Sequence, residues 1–347
     1  MSVRWGIVGC GSVAERKSGP AFQQADGSRL VAVMRRTPGL AEDYARRHGV
    51  ARAYTDADRL IEDPEVDAVY IATPPGIHLA LALRVCAAGK PCYVEKPIAR
   101  SAEEAEAMVE AFAAARLPLF VAYYRRAHPR FRFVKSVVEG GALGTLTSVE
   151  AAYARPMQAD DSGALPWRLR AEDSGGGLFM DLASHTLDML DFVLGPLTDV
   201  SGVAARGAAA YAVEQTVAMA FRAGGAPGTG RWNFGAFTAE DRITLTGTHG
   251  RLSTSTFGDD PVVVETARGR TEHPFGRPDP VQGPLVQTVV DEILGRGTCP
   301  STGESAARTA HVMDAVLAGY YGTRTGAFWA DPSAWPGRAV RNDASSS

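Results

Sequence analysis

The segment Val3-Arg4-Trp5-Gly6-Ile7-Val8-Gly9-Cys10-Gly11-Ser12-Val13-Ala14 couples a strand to a glycine loop. Val3–Val8 is short, rich in Val and Ile and without polar alternation, as suits a strand buried on both faces. It runs into Gly9-x-Gly11-x-x-Ala14, an accepted variant of the dinucleotide fingerprint. Gly9 permits the tight turn, and Gly11 lets the amides of Gly11, Ser12 and Val13 approach a pyrophosphate. The small Ala14 lets the next helix pack closely, with a phosphate at its N-terminus. A glycine pattern alone also punctuates an ordinary strand-to-helix turn. Here it follows a strand, opens a helix and begins a βαβ series, which favours dinucleotide binding.

Through about residue 120 strands and helices alternate. Leu30–Met34, Ala68–Ala72, Pro91–Val94 and Leu119–Ala122 read as further buried strands, and Leu40–His48, Ile77–Ala88 and Ser101–Ala115 as the clearest helices. Ser101 with Glu104 three residues on is a capping box. This alternation predicts a doubly wound parallel sheet, a Rossmann domain over residues 1–123. After about residue 125 the pattern changes. A helix over Arg130–Glu139, a strand near Thr145–Tyr153, a polar loop about Met157–Leu165 and a helix from about Met180 to Leu194 come first. Strand-like runs follow at Val200–Ala205, Val213–Phe221, Thr229–Phe234, Ile243–Thr246 and Val262–Thr266, then helical patterns at Leu285–Leu294 and Glu304–Tyr321. Strands bounded by helices predict an α+β domain with an open, mostly antiparallel sheet over 124–335, and 336–347 reads as a frayed tail.

The 347 residues are 45% hydrophobic and 22% charged, with a net charge of −3. That fits two globular domains and lacks the basic excess of a nucleic-acid or anionic-membrane binder. No apolar run approaches the roughly 18 residues of a membrane span, and the first residues show no signal-peptide pattern. Cys10, Cys86, Cys92 and Cys299 are scattered, with no C-x-x-C pair and no His at a zinc spacing. Reduced thiols in a cytoplasmic setting are expected, with no zinc ribbon. Only four of the 36 basic residues are lysines (Lys17, Lys90, Lys96 and Lys135), so each stands out against an arginine-rich background.

Three further positions carry chemistry. At the end of the second strand the fingerprint asks for an acid to hold the adenine ribose, and this chain has Arg35-Arg36. A guanidinium pairs bidentately with a 2′-phosphate that a carboxylate would repel. NADP is therefore expected over NAD, the alternative being two solvated surface arginines. A later strand ends in Glu95-Lys96-Pro97, and open α/β sheets bind ligands beyond the carboxyl ends of their strands. There the Lys96 ammonium can hydrogen-bond a substrate oxygen or relay a proton; the plain alternative is an exposed strand-end lysine. Finally, Gly175-Gly176-Gly177 leads into a helix with Asp181, His185 and Asp188 at i, i+4 and i+7, on one face. A carboxylate beside an imidazole orients it and raises its basicity, as a general base requires. Asp181 can also be read as a first-turn carboxylate favoured by the helix dipole, with His185 a core histidine. Asp-x3-His-x2-Asp could be a metal face, but no further His or Cys cluster recommends one, and no metal is expected.

In this order G-x-G-x-x-A, Glu-Lys-Pro and GGG-x3-D-x3-H resemble the glucose–fructose oxidoreductase/inositol dehydrogenase (Gfo/Idh/MocA) family, over about residues 3 to 330. Thr73-Pro74-Pro75 with His78, Arg125 in YYRRAHPRF, Trp167-Arg168 and Thr302-Gly303-Glu304 agree with it. The resemblance implies hydride transfer between C4 of nicotinamide and a carbinol or carbonyl carbon of a sugar, cyclitol or related polyol. It implies that Gly9, Gly11, Ser12, Val13, Arg35, Arg36, Thr73, Pro74, His78, Glu95 and Lys96 hold the dinucleotide. Lys96, Asp181 and His185 would form the catalytic set: His185 takes the substrate hydroxyl proton, Asp181 orients it, and Lys96 hydrogen-bonds the reacting oxygen. Tyr124, Arg125, Trp167 and Arg168 would line the sugar side with Asp181 and His185. The open second-domain sheet would make homodimers or homotetramers. Many members carry an acid where this chain has Arg35; the basic pair resembles the NADPH-using members. Two other readings keep the fold: a non-catalytic NADP sensor, and an enzyme retaining NAD for transient oxidation during glycoside cleavage.

Overall fold

The computed structural model describes residues 2–157, 165–207, 211–324, 328–329 and 331–339. Two units emerge, Met1–His128 with Arg277–Ala307, and Pro129–Gly276 with the residues from Arg308 onward.

In the first unit, β1 (Val3–Val8), β2 (Ser28–Met34), β3 (Arg52–Tyr54), β4 (Ala68–Ile71), β5 (Cys92–Val94) and β6 (Leu119–Val121) form a parallel sheet in the order β3-β2-β1-β4-β5-β6. This is the doubly wound order, with its reversal between β1 and β4. An aromatic core backs the sheet: Trp5 meets Phe22 at 4.7 Å, and Tyr70 stacks on Tyr93 at 5.0 Å. The helix Gly283–Ile293 adds Leu285, Val286, Val289 and Val290 to this cluster, all fully buried. By its contacts the first unit runs on to His128 and also takes in 277–307. The reason is the apolar stripe of that helix, which has its burial site on the Trp5–Phe22 side of the first sheet.

In the second unit, β7 (Leu146–Ala154), β8 (Thr198–Ala205), β9 (Thr216–Ala223), β10 (Ala226–Asn233), β11 (Glu240–Gly247), β12 (Gly250–Thr254), β13 (Val262–Thr266) and β14 (Gly269–His273) form one sheet in the order β14-β13-β12-β11-β7-β10-β9-β8. All neighbouring pairs are antiparallel except β7 with β10. Val149, Ala151, Val217, Met219, Phe221, Trp232, Ile243 and Leu245 are buried on one face, while Glu150, Ala218, Ala220, Thr229, Arg231 and Arg242 alternate with them and are exposed. That alternation marks an antiparallel sheet packed on one side only. Against the packed side Phe179, at the start of the segment carrying Asp181 and His185, meets Trp232 edge-on at 5.1 Å.

Pro336–Ala339 forms one helical turn, while 340–347 and the loop residues 158–164 lie outside the described residues. Among the described residues no helix is long and apolar enough to cross a membrane.

Candidate active site

At the end of β1, Gly9 sits at φ +96°, and a Cβ there would lie 3.0 Å from the Ala72 carbonyl. Only glycine takes that conformation readily. A Cβ at Gly11 would meet nothing within 4 Å, so the loop keeps open space where a ligand backbone can approach. A π-turn, Ala14–Ser18, and the helix Gly19–Gln24 follow. Gly9, Gly11, Arg35, Arg36, Thr73 and Pro74 line a cavity of about 630 Å³. Thr73 Oγ1 is buried there without a hydrogen-bond partner among the described residues, an arrangement that costs about 1–3 kcal/mol until a ligand satisfies it. Arg35 and Arg36 are exposed, and neither is ion-paired among the described residues. Asp56 shares that wall, but its carboxylate caps the helix Ala57–Ile61 by accepting the Asp58 N–H at 2.8 Å. An open glycine, an orphan hydroxyl and two uncommitted cations fit a dinucleotide.

The remaining cofactor candidates sit differently. Ser12 and Val13 occupy the turn after Gly11 and are not among the residues lining the cavity. His78 is fully buried, its Nδ1 3.1 Å from the Ile98 carbonyl and its Nε2 2.8 Å from the Thr73 carbonyl. Burial lowers its pKa, and a neutral ring has one N–H for these two carbonyls, so from behind the cavity it ties one of the loops after β4 and β5 and lies against the other. Glu95 is buried as well. Its Oε1 accepts from the Tyr70 hydroxyl and from Gln282 Nε2, each at 2.6 Å, and its Oε2 accepts the Lys96 N–H at 3.2 Å. Tyr93 donates to Gln282 Oε1 at 3.1 Å, so the carboxylate beside Lys96 is held by a network reaching the returning segment. Lys96 precedes a cis peptide to Pro97 and is half-buried.

Tyr124 and Arg125 are buried, with the guanidinium 5.0 Å above the phenol ring. Burial by itself would raise the Tyr124 phenol, but the charges of Arg125, Lys17 and Lys96 outweigh it and pull the group below the usual tyrosine range. The first unit thus gathers Lys96, Tyr124 and Arg125 with Lys17 in one cationic corner. Sequence reading marked Lys17 only through the scarcity of lysine.

In the second unit, Asp181 lies in a π-turn, Phe179–Ala183, that feeds the α-helix Ser184–Leu194. The regular i, i+4, i+7 face expected for Asp181, His185 and Asp188 is therefore offset at Asp181, where the wider turn intervenes. All three are buried, at 9%, 4% and 1% exposure. Asp181 Oδ2 accepts from Arg168 Nε at 2.9 Å, and Arg168 stacks 4.4 Å above Trp167, so Trp167, Arg168 and Asp181 do come together. The His185 ring meets Phe257 edge-on at 5.8 Å.

The three glycines before the π-turn are anchored by residues that sequence reading missed. Gly177 N–H donates to both carboxylate oxygens of Glu214 at 2.9 Å, the Tyr321 hydroxyl donates to the same carboxylate, and Arg324 donates to the Gly175 carbonyl. A Cβ at Gly177 would lie 2.6 Å from the Glu214 carbonyl oxygen. Burial raises the Glu214 carboxyl above its ordinary range in spite of these donors. No local signal points to Glu214, Tyr321 or Arg324, since each meets the glycines only through the fold. Among the described residues no group of three or more His, Cys, Asp or Glu side chains could hold a metal ion.

Residues 3–123 match the Gfo/Idh/MocA oxidoreductase family, described as an NAD-binding Rossmann fold, and residues 131–253 match the family's C-terminal domain. An oxidoreductase from Formosa agariphila is 35% identical over 314 residues, which cover 90% of this chain and 97% of that one. Levoglucosan dehydrogenase from Pseudarthrobacter phenanthrenivorans is 34% identical over 166 residues, 48% of this chain and 43% of that one. The structure of a levoglucosan dehydrogenase in complex with NADH and levoglucosan shares the fold, with a TM-score of 0.81 and 23% identity over 91% of this chain and 96% of that one. The chain belongs to the Gfo/Idh/MocA family and is an oxidoreductase with an NAD-binding Rossmann domain.

Proposed function

We propose that this enzyme moves hydride between C4 of a nicotinamide, NADP(H) before NAD(H), and a carbinol or carbonyl carbon of a sugar, cyclitol or related polyol. Bound nicotinamide supplies the carbon that takes or gives the hydride. His185 takes or returns the proton of the reacting oxygen, Asp181 orients it and is itself held by Arg168, and Lys96 hydrogen-bonds that oxygen. Gly9, Gly11, Ser12, Val13, Thr73 and Pro74 hold the dinucleotide, with His78 and Glu95 supporting it from behind. Tyr124, Arg125, Trp167 and Arg168 serve the sugar side.

The observation that carries this reading is the cavity wall where Arg35 and Arg36 stand exposed and uncommitted while Asp56 is spent as a helix cap. The related dehydrogenase that holds NADH and levoglucosan supports a sugar-like substrate; the 2′-phosphate preference rests on the two arginines alone. Membership in an oxidoreductase family goes against a purely sensing role, and an open 2′-phosphate site goes against permanently retained NAD. The four free cysteines accord with a cytoplasmic setting. The exposed face of the eight-stranded sheet is where a second copy would dock, giving a homodimer or homotetramer.

Titration with NADPH and NADH, following nicotinamide fluorescence, tests the cofactor half. Two charge-assisted bonds should favour NADPH by roughly tenfold or more, and Arg35→Asp should abolish the preference. Equal binding, or tighter NADH, overturns it. With a substrate found by screening ketoses, aldoses and inosols, Lys96→Ala and His185→Ala should each remove turnover, and His185→Ala should leave cofactor affinity largely intact. Full activity in both would sink the assigned roles.

A further inference from the structure

The loop between β12 and β13 is strapped from two sides. Asp241, on β11 opposite Tyr153, accepts three successive backbone N–H groups: Thr256 at 2.9 Å, Phe257 at 2.6 Å and Gly258 at 3.0 Å. Arg130, itself buried, takes the loop's oxygens. It donates to Thr254 Oγ1 at 3.1 Å, Ser255 Oγ at 3.0 Å, and the Gly258 and Asp260 carbonyls at 2.6 Å each. A third tie joins Thr256 Oγ1 to Thr186 Oγ1, 3.0 Å apart, one residue beyond His185. Charge-assisted bonds of this kind are about twice as strong as neutral ones, and a run of amides around one carboxylate is a rigid nest.

What the strap presents is Phe257. Its ring meets His185 at 5.8 Å and 82°, and Tyr153 at 5.1 Å and 62°. Thr254, Ser255 and Thr256 beside it are buried, yet Phe257 and Tyr153 remain half-exposed. The ring is large and apolar, held by two charged residues, set against an imidazole and partly exposed, so part of it can meet a ligand beside His185. A sugar or cyclitol ring has one face of C–H bonds that gains by covering an aromatic ring, and the hydroxyls around its edge are then turned outward.

We propose that Phe257 is a substrate-positioning residue: its ring takes the C–H face of the polyol and fixes the plane of His185, and Asp241 and Arg130 hold it there. The proposal rests on the polyol reading above. With the substrate found by screening, Phe257→Leu should raise KM roughly tenfold with a much smaller change in kcat, Phe257→Tyr should restore it, and NADPH affinity should stay unchanged in both. A second readout needs no substrate. In protein labelled with ¹³C-histidine, the His185 resonance, assigned by its loss in His185→Gln, should lose its aromatic ring-current shift in Phe257→Leu, keep it in Phe257→Tyr, and move partway in Asp241→Asn. An unmoved resonance overturns the contact with the imidazole. Normal turnover with unchanged KM in Phe257→Leu overturns the substrate role alone, whereas no turnover of any polyol by the unaltered enzyme overturns the reading beneath it.

Discussion

His128 closes the first stretch of its unit as a buried imidazole whose Nε2 donates to the Val281 carbonyl at 2.8 Å. Burial holds its pKa down at about 4, against 6.5 when exposed. Between those values the unfolded chain binds a proton that the folded chain does not, so stability is full near neutrality and falls as pH drops from about 6.5 toward 4. The loss reaches about 3 kcal/mol at the acid end, and the buried His78, shifted the same way, adds to it. Urea unfolding at pH 7 and pH 4.5 should show this loss, and His128→Gln should flatten it. An unchanged slope would count against the assignment. At this scale legibility was uneven. Gly9 and Gly11 could be read because a short motif encodes a backbone need. Glu214 and Gln282 could not, because their partners stand 37 and 187 residues away in sequence. Asp241 and Phe257 lay in stretches that carry no motif at all.

Both glycine-led helices begin with a π-turn, Ala14–Ser18 and Phe179–Ala183. Wider turns of this kind gather at functional sites, and no residue spacing announces them. That is why the spacing of Asp181 and His185 along the chain was legible while the offset at Asp181 was not. The triple glycine ahead of the second π-turn is also more than a flexible approach. Gly177→Ala would push a methyl against the Glu214 main chain, and overpacking of this kind costs about 1–3 kcal/mol. Thermal unfolding should show the loss, and turnover should fall further than cofactor affinity; a variant as stable and active as the parent would show that the strap yields. Most strands were legible from their apolar runs. β3, β12 and β14 were not: Arg52-Ala53-Tyr54 has no fully buried residue, Gly250–Thr254 carries Leu252 as its one large apolar side chain, and Gly269–His273 is an exposed, polar edge. Charge on an edge strand guards against mispairing, and it also erases the sequence signal.

For the molecule as a whole, the exposed face of the eight-stranded sheet sets the expectation for assembly. Small residues such as Ala218 and Ala220 sit there among charges, on the face where a second copy is proposed to dock. Light scattering should return a mass of two or four chains, and Ala220→Arg should lower it without loosening NADPH binding; a single-chain mass for the unaltered protein would overturn the proposal. The doubly wound order and the open second sheet were readable from how strands and helices alternate. The return of 277–307 to the first unit was not, because an amphipathic helix does not say which sheet it will cover.

That return has a consequence in time. A ribosome delivers the dinucleotide loop early, but the helix carrying Leu285 and Val289 emerges only after the whole of 129–276 has been made. At about 5–20 residues per second, the wall around Trp5 and Phe22 waits on the order of ten seconds for its cover. During synthesis the most recognisable part of this enzyme is therefore an unfinished one, and the second unit is completed later still, because it takes the residues from Arg308 onward.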